Sequence, residues 1–213
     1  TFRDANGLWE GHRVEEVATP QAFEHDPETV LRFYNLRHAA LATVEPNAAH
    51  HALARLQREY PGQVTLITQN VDDLHERGGS ENVIHMHGSL TKTLCHHCRA
   101  TAPWEGEIRT SDICTTCGET GTIRPDIVWF GEMPYHMERI ELALNSVGLF
   151  VAIGTSGHVY PAAGFIATAR YRLAHTLEIN NAETAVSIDF AAHRTGPASV
   201  EVPAWVDEIL ARA

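Results

Sequence analysis

The stretch GLFVAIGTSGHVYPAAGFIATARYRLAHTLEIN at residues 148–180 holds two short, β-rich apolar runs on either side of a helix-compatible segment. GLFVAIG at 148–154 and TLEIN at 176–180 have strand length, and each is bounded by small or polar residues. Between them, Ala162 to Leu173 reads as a helix. Two parallel strands need a long crossover connection, usually a helix, so this order is the unit of a parallel sheet. The expected class is α/β.

Working outward, VTLIT at 64–68 and VIHM at 83–86 read as further buried strands, separated by a polar segment containing the helix-compatible DDLHER. Nearer the start, Asp26 and Pro27 signal a helix N-terminus: a side-chain oxygen that caps free amides, then a ring suited to the first turn. The helix is expected over Pro27 to Leu41, with Val30, Leu31, Tyr34 and Leu41 at helical spacings. A second helix is expected from Asn47, stopped by Pro61-Gly62. Residues 91–125 hold all four cysteines and few long apolar runs, which marks a small module inserted between sheet strands.

With 213 residues there is enough chain for one good core plus a small accessory module. Apolar residues make up 44% and charged residues 20%, the balance of a packed globular protein rather than a disordered one. The formal charge of −11 repels a phosphate backbone, so nucleic acid is not expected as a partner. An acidic surface maintains solubility and can also attract Lys-containing polypeptides. The longest fully apolar stretch, around Gly148 to Gly154, falls well short of the ~18 residues a membrane span needs. The opening TFRDANGLWEGHR is charged and polar where a secretory signal would be apolar, which points to the cytoplasm.

Cys95, Cys98, Cys114 and Cys117 read C-x2-C-x15-C-x2-C. Each C-x2-C turn can direct two thiolates at one tetrahedral ion, and four thiolates leave no open position for water or substrate. The spacing therefore predicts a structural Zn2+, with two disulfides as the competing arrangement. His96 and His97 are expected to face solvent rather than add ligands. A nucleic-acid zinc ribbon is disfavoured because Glu105, Glu107 and Asp112 offset Arg99 and Arg109, leaving no basic stripe.

Four further motifs follow in order: TQNVDDLH at 68–75, VIHMHGSL at 83–90, VWFGEMP at 128–134 and GTSGHVYPAAG at 154–164. Together with the opening TFRDANGLW and the cysteine module, they resemble the sirtuin family along essentially the whole chain. The resemblance implies a Rossmann-like parallel-sheet domain, and a small domain made of the helical module and the zinc-ribbon module, with NAD in the cleft between them. The implied division is a cofactor-binding loop at 1–17, the helical module at 18–60, Rossmann-like parts at 61–90 and 126–213, and the zinc module at 91–125.

The implied activity is NAD-dependent deacylation of protein lysines, which releases nicotinamide and leaves the acyl group on ADP-ribose. His87 matches the family's catalytic base, and an imidazole with an ordinary pKa near ~6.5 suits that task. Strand geometry alone leaves His85 open as well, since residues two apart share a face if the strand continues. By the same resemblance Gln69 contacts the nicotinamide ribose, and Asn70 and Asp72 line the nicotinamide pocket. Gly154, Thr155 and Ser156 approach phosphate or ribose; Asn180 matches the adenosine-ribose position and Ala198 a place beside the adenine. Thr1, Phe2, Arg3 and Trp9 fall in the cofactor loop, and Val128, Phe130 and Gly131 in the segment that receives the acylated substrate. The family's Gly-Ala-Gly turn would stand before Thr1, so a chain that truly begins there is expected to bind NAD poorly.

Tyr34 and Arg37, in FYNLRH, stand three apart on the first helix and project from adjacent parts of one face. They match the Tyr-x-x-Arg pair of sirtuins called class III, which recognises succinyl, malonyl or glutaryl carboxylates. Two alternatives remain in view: an ADP-ribosyltransferase or NAD glycohydrolase on the same scaffold, and a non-catalytic zinc-ribbon interaction module.

Overall fold

The computed structural model describes residues 13–184 and 186–213. In chain order the first half runs α1 (Val14–Val17), α2 (Pro20–His25), α3 (Pro27–Ala40), a 3-10 turn at Leu41–Thr43 and α4 (Ala48–Glu59). Next come β1 (Ile67–Thr68), α5 (Leu74–Arg77), β2 (Ile84–His85), β3 (Gly88–Cys95), β4 (Thr101–Pro103) and β5 (Ile123–Ile127). The chain closes with α6 (Met137–Asn145), β6 (Leu149–Ile153), α7 (Phe165–Tyr171), β7 (His175–Asn180), β8 (Ala192–Thr195) and α8 (Ala198–Leu210). Among the described residues these elements fall into two compact units, one comprising 13–44, 68–73 and 85–135, the other 45–67, 74–84 and the described part of 136–213.

In the first unit the helices begin where local chemistry dictates. Thr19 Oγ1 accepts the Ala22 N–H at 3.0 Å, Asp26 Oδ1 accepts the Thr29 N–H at 3.1 Å, and a proline opens both α2 and α3. The inner face of α3, with Val30, Leu31, Phe33 and Tyr34, packs into a core with Phe23, Leu90, Trp104, Ile127 and Trp129. Burial of each such side chain contributes about 1.5–3 kcal/mol. Beneath it lies the antiparallel sheet β4-β3-β5. Asn35 ties α3 to the inserted module, donating to the Ile108 carbonyl and accepting the Ile108 N–H, both at 2.9 Å.

In the second unit β6, β7 and β8 form a parallel sheet in that order, with Leu149 opposite His175 and Leu177 opposite Ala192. The crossover from β6 to β7 contains a 3-10 turn at Ala162–Gly164 followed by α7, so the expected helix is shorter and ends before Leu173, whose φ of 60° is left-handed. Asn47 caps α4, accepting the Ala49 N–H at 2.9 Å while its own N–H donates to His50 Nδ1 at 3.1 Å. The apolar stripe Ala49, Ala52, Leu53 and Leu56 of α4 packs with Val202, Trp205 and Val206 of α8 and with Leu177 and Ile179 of the sheet.

The strands expected at 64–68 and 83–86 are shorter than their apolar runs. Only β1 and β2 pair as strands; the Ile84 N–H donates to the Leu66 carbonyl and the Met86 N–H to the Thr68 carbonyl. The side chains of Val64 and Leu66 pack against the α4–α8 core, which accounts for their apolar character outside the paired strand. Among the described residues no helix is long and apolar enough to cross a membrane.

Candidate active site

His87 sits in the turn between β2 and β3, and three backbone features hold it there. The Met86 carbonyl accepts the Tyr135 N–H and the His87 carbonyl accepts the Val128 N–H, each at 2.9 Å. Gly88 follows at a φ of +82°, where a β-carbon would lie 2.0 Å from the Asp126 carbonyl oxygen, so only glycine lets β3 approach β5 this closely. The ring itself is half-buried and its Nδ1 lies 3.2 Å from the Gln69 carbonyl. A carbonyl can only accept, so Nδ1 carries the hydrogen and Nε2 keeps a basic lone pair. Burial lowers the His87 pKa below its ordinary 6.5, partly opposed by that backbone hydrogen bond. The imidazole is thus a neutral base with a set tautomer. His85 is distinguished from it by chain direction: β2 ends at His85, the intervening Met86 is fully buried, and the strand does not continue to His87.

Segment 68–73 runs beside this turn. Gln69 is half-buried and its carbonyl is the His87 partner, Asn70 is exposed with its N–H on Thr68 Oγ1 at 3.0 Å, and Asp72 is half-buried. On the other side, VWFGEMP leaves the His87 carbonyl at Val128, passes an exposed Phe130 and turns at Gly131 (φ +90°). The first unit therefore gathers Gln69, Asn70, Asp72, His87, Val128, Phe130 and Gly131 into three connected segments.

Tyr34 and Arg37 share one turn of α3. Tyr34 is only 1% exposed; burial raises its pKa above the usual phenol value, and the Trp129 and Arg37 partners only partly oppose the rise. Its hydroxyl oxygen accepts from Trp129 Nε1 at 3.0 Å. Arg37 is half-buried with its guanidinium 4.9 Å from the Phe33 ring centre.

The second unit places its predicted residues at the carboxyl ends of its parallel strands, where open α/β sheets bind ligands. Gly154 follows β6 at a φ of +62°, with no atom within 4 Å of a would-be β-carbon. Asn180 ends β7, and its Nδ2 donates to the Thr155 carbonyl at 2.8 Å. Ser156 is exposed, and its Oγ accepts the His158 N–H at 3.4 Å. The Gly196 N–H donates to the Asn180 carbonyl at 2.9 Å, which brings the start of α8, and so half-buried Ala198, to the same edge. Thr1, Phe2, Arg3 and Trp9 lie outside the described residues.

The four cysteines are reduced, and their sulfurs all lie within 4.8 Å of one another. Cys95 and Cys117 sulfurs are 3.8 Å apart and Cys98 and Cys114 sulfurs 3.7 Å apart. A tetrahedron with Zn–S bonds of about 2.3 Å has S–S edges of about 3.8 Å, whereas a disulfide needs about 2.05 Å. The set fits one zinc ion and excludes disulfide pairing. His96 and His97 are both exposed.

The family model for the Sir2 family matches residues 1–161. The chain belongs to the sirtuins. An NAD-dependent protein deacylase of Vibrio cholerae is 54% identical over 99% of this sirtuin and 87% of its own length. One of Escherichia coli O157:H7 is 50% identical over 99% of this sirtuin and 78% of its own length. Among solved structures, a Sir2 homologue in complex with NAD matches with a TM-score of 0.90 at 38% identity, covering 100% of this sirtuin and 83% of that chain. A Sir2 bound to acetylated peptide matches with a TM-score of 0.78 at 26% identity, covering 88% and 81%. These neighbours confirm the Rossmann-like class expected from the strand–helix–strand order.

Two groups of residues in this sirtuin were not anticipated. Arg124, 3% exposed on β5, has its guanidinium 3.9 Å from the Trp129 ring centre and bonds both oxygens of Glu132, at 2.8 and 3.0 Å. In the second unit, buried Glu178 accepts from Thr184 Oγ1 at 2.7 Å and from Ser187 Oγ, and lies 3.3 Å from His193 Nδ1. These donors hold the Glu178 pKa below the usual carboxylate value against its burial. The available signal was charge inside an apolar run, Arg124 and Asp126 in IRPDIVW and Glu178 in TLEIN, because a buried charge requires partners.

Proposed function

We propose that this sirtuin is an NAD-dependent protein-lysine deacylase that removes succinyl and malonyl groups, and acetyl groups as well. The observation that carries the acyl preference is the placing of Arg37 one turn after a buried Tyr34 on α3. A guanidinium grips a carboxylate through paired hydrogen bonds and a phenol adds another, so the two together suit an acyl chain ending in a carboxylate.

Bound NAD would supply an electrophilic ribose carbon and nicotinamide as the leaving group. His87 Nε2 takes a proton from a ribose hydroxyl, while Nδ1–H on the Gln69 carbonyl keeps the ring in the required tautomer. Gln69, Asn70 and Asp72 hold the nicotinamide side, and by family resemblance Thr1, Phe2, Arg3 and Trp9 belong to the cofactor-binding loop. Gly154, Thr155, Ser156, Asn180 and Ala198 take the adenosine side, where small residues, a side-chain amide and free backbone amides suit a ribose and its phosphates. Val128, Phe130 and Gly131 receive the acyl-lysine peptide, and the cysteine-bound zinc is structural.

The test is a side-by-side assay of acetyl-, malonyl- and succinyl-lysine peptides with NAD and the full-length protein, products read by mass spectrometry. Peptide-dependent nicotinamide release is expected, with kcat/KM favouring the acidic acyl peptides. NAD consumption without peptide, with ADP-ribose on protein or water, would instead establish a transferase or glycohydrolase. Activity on acetyl peptide alone would overturn the acyl preference.

A further inference from the structure

We infer that Trp129 is a specificity-positioning residue: its indole N–H fixes the Tyr34 hydroxyl as a hydrogen-bond donor aimed at the substrate's acyl carboxylate, and Arg124 with Glu132 fixes Trp129. This deepens the acidic-acyl proposal and rests on it.

The direction of the bond is unambiguous. An indole nitrogen can only donate, so the Tyr34 oxygen, 3.0 Å away, is the acceptor. The hydroxyl hydrogen is then the one polar atom of the pair still to be placed, and among the described residues it donates to none. A buried hydroxyl whose hydrogen lacks an acceptor is costly, which marks a position built to receive one. Burial also raises the phenol pKa, so the group keeps its proton throughout the working pH range. Arg37 stands three positions further along the same turn of α3, with its guanidinium 4.9 Å from the Phe33 ring centre. A neutral O–H and a guanidinium on one helical turn match a carboxylate and give nothing comparable to a methyl group.

Trp129 cannot drift from this task. Its ring lies under the Arg124 guanidinium and 5.4 Å from the Phe23 ring. Its backbone N–H donates to Glu132 Oε2 at 2.8 Å, and that same carboxylate is held by Arg124. The sequence interval from Arg124 to Glu132 therefore closes on itself around the indole, and the result is delivered to Tyr34, 95 positions away. The neighbouring residues of the same segment, Val128 and Phe130, are those proposed to receive the peptide.

The test is Trp129→Phe, which keeps an aromatic ring under Arg124 and deletes the N–H. The quantity is the ratio of kcat/KM for succinyl over acetyl peptide, measured in wild type, Trp129→Phe, Tyr34→Phe and the double variant of the full-length protein. Trp129→Phe is expected to lower the ratio about 3- to 10-fold, chiefly through KM for the succinyl peptide, as for one lost neutral hydrogen bond. In the Tyr34→Phe background the same substitution is expected to change the ratio no further, because it acts through the hydroxyl. An unchanged ratio in Trp129→Phe, or equal losses in both backgrounds, overturns the inference while leaving the acyl preference standing. A wild type without succinyl activity overturns both. If Trp129→Phe does not fold, the wild-type indole N–H resonance decides: saturating succinyl-lysine peptide, added without NAD so that it is not turned over, is expected to shift it and the unmodified lysine peptide is not, and no shift with either refutes the inference.

Discussion

Gly88→Ala tests whether the turn after His87 is set by the close approach of two strands. At a φ of +82° alanine carries the left-handed penalty, about 1–2 kcal/mol. The added carbon would also stand 2.0 Å from the Asp126 carbonyl oxygen, where real contacts begin near 3.0 Å, so β3 and β5 must separate by roughly 1 Å at that point. Gly88 is paired with Ile127 and Ser89 with Asp126, and weakening those ladder bonds costs about 0.5–1.5 kcal/mol each. The expected loss is about 3 kcal/mol or more. A shift of that size carries His87 with it, because its carbonyl is bonded to the Val128 N–H, and a misplacement of about 1 Å typically costs about 100-fold in rate. Gly106→Ala is the control: its φ is +66° with nothing within 4 Å of the new carbon, so it carries the conformational penalty alone. Urea unfolding of both variants gives the stability difference, and nicotinamide release with acylated peptide gives the rate. The reasoning is refuted if Gly88→Ala is as stable as Gly106→Ala and turns over within about threefold of wild type.

Arg37→Met is expected to lower the succinyl-to-acetyl ratio of kcat/KM by about 30-fold or more, since an unpaired buried carboxylate costs about 2–5 kcal/mol; an equal loss on both peptides would place Arg37 in structural support instead. Metal analysis of the purified protein is expected to find one zinc per chain, lost with the small module's stability in Cys114→Ser, because structural zinc contributes folding free energy directly. Zinc-free wild type with oxidised thiols would contradict the tetrahedral sulfur geometry. The acid limb of kcat/KM is expected to lie below pH 6.5: burial lowers the His87 pKa, so the neutral base survives to lower pH and is lost only as pH falls through that depressed value. A midpoint at or above 6.5 that disappears in His87→Ala would refute the burial argument.

What could be read without coordinates rested on short-range physics. The Asp26-Pro27 and Asn47 helix starts and the Pro61-Gly62 stop each depend on a side chain and backbone within four residues, and all three stand in the structure. The C-x2-C pairs prescribe zinc because each turn orients its own two sulfurs, and the strand–helix–strand run at 148–180 prescribes a parallel pair because its connection allows little else. Partners distant in sequence were not legible. The stripe on α4 announces that it is buried, yet only the folded chain selects α8 as its cover, since any apolar surface of similar shape would satisfy the same pattern. VTLIT announces burial in the same way, but strand length is decided by which amides find carbonyls, and only Ile67 and Thr68 form the paired strand while the Val64 and Leu66 side chains pack on the α4–α8 core. Likewise the motif around His87 is local in the sequence, whereas its tautomer depends on the Gln69 carbonyl arriving from 18 residues upstream. Tyr34 and Trp129, 95 apart, were visible as residues; that one donates to the other follows only when β5 and α3 share a core, because hydrogen-bond direction is a property of a contact and no single segment contains it.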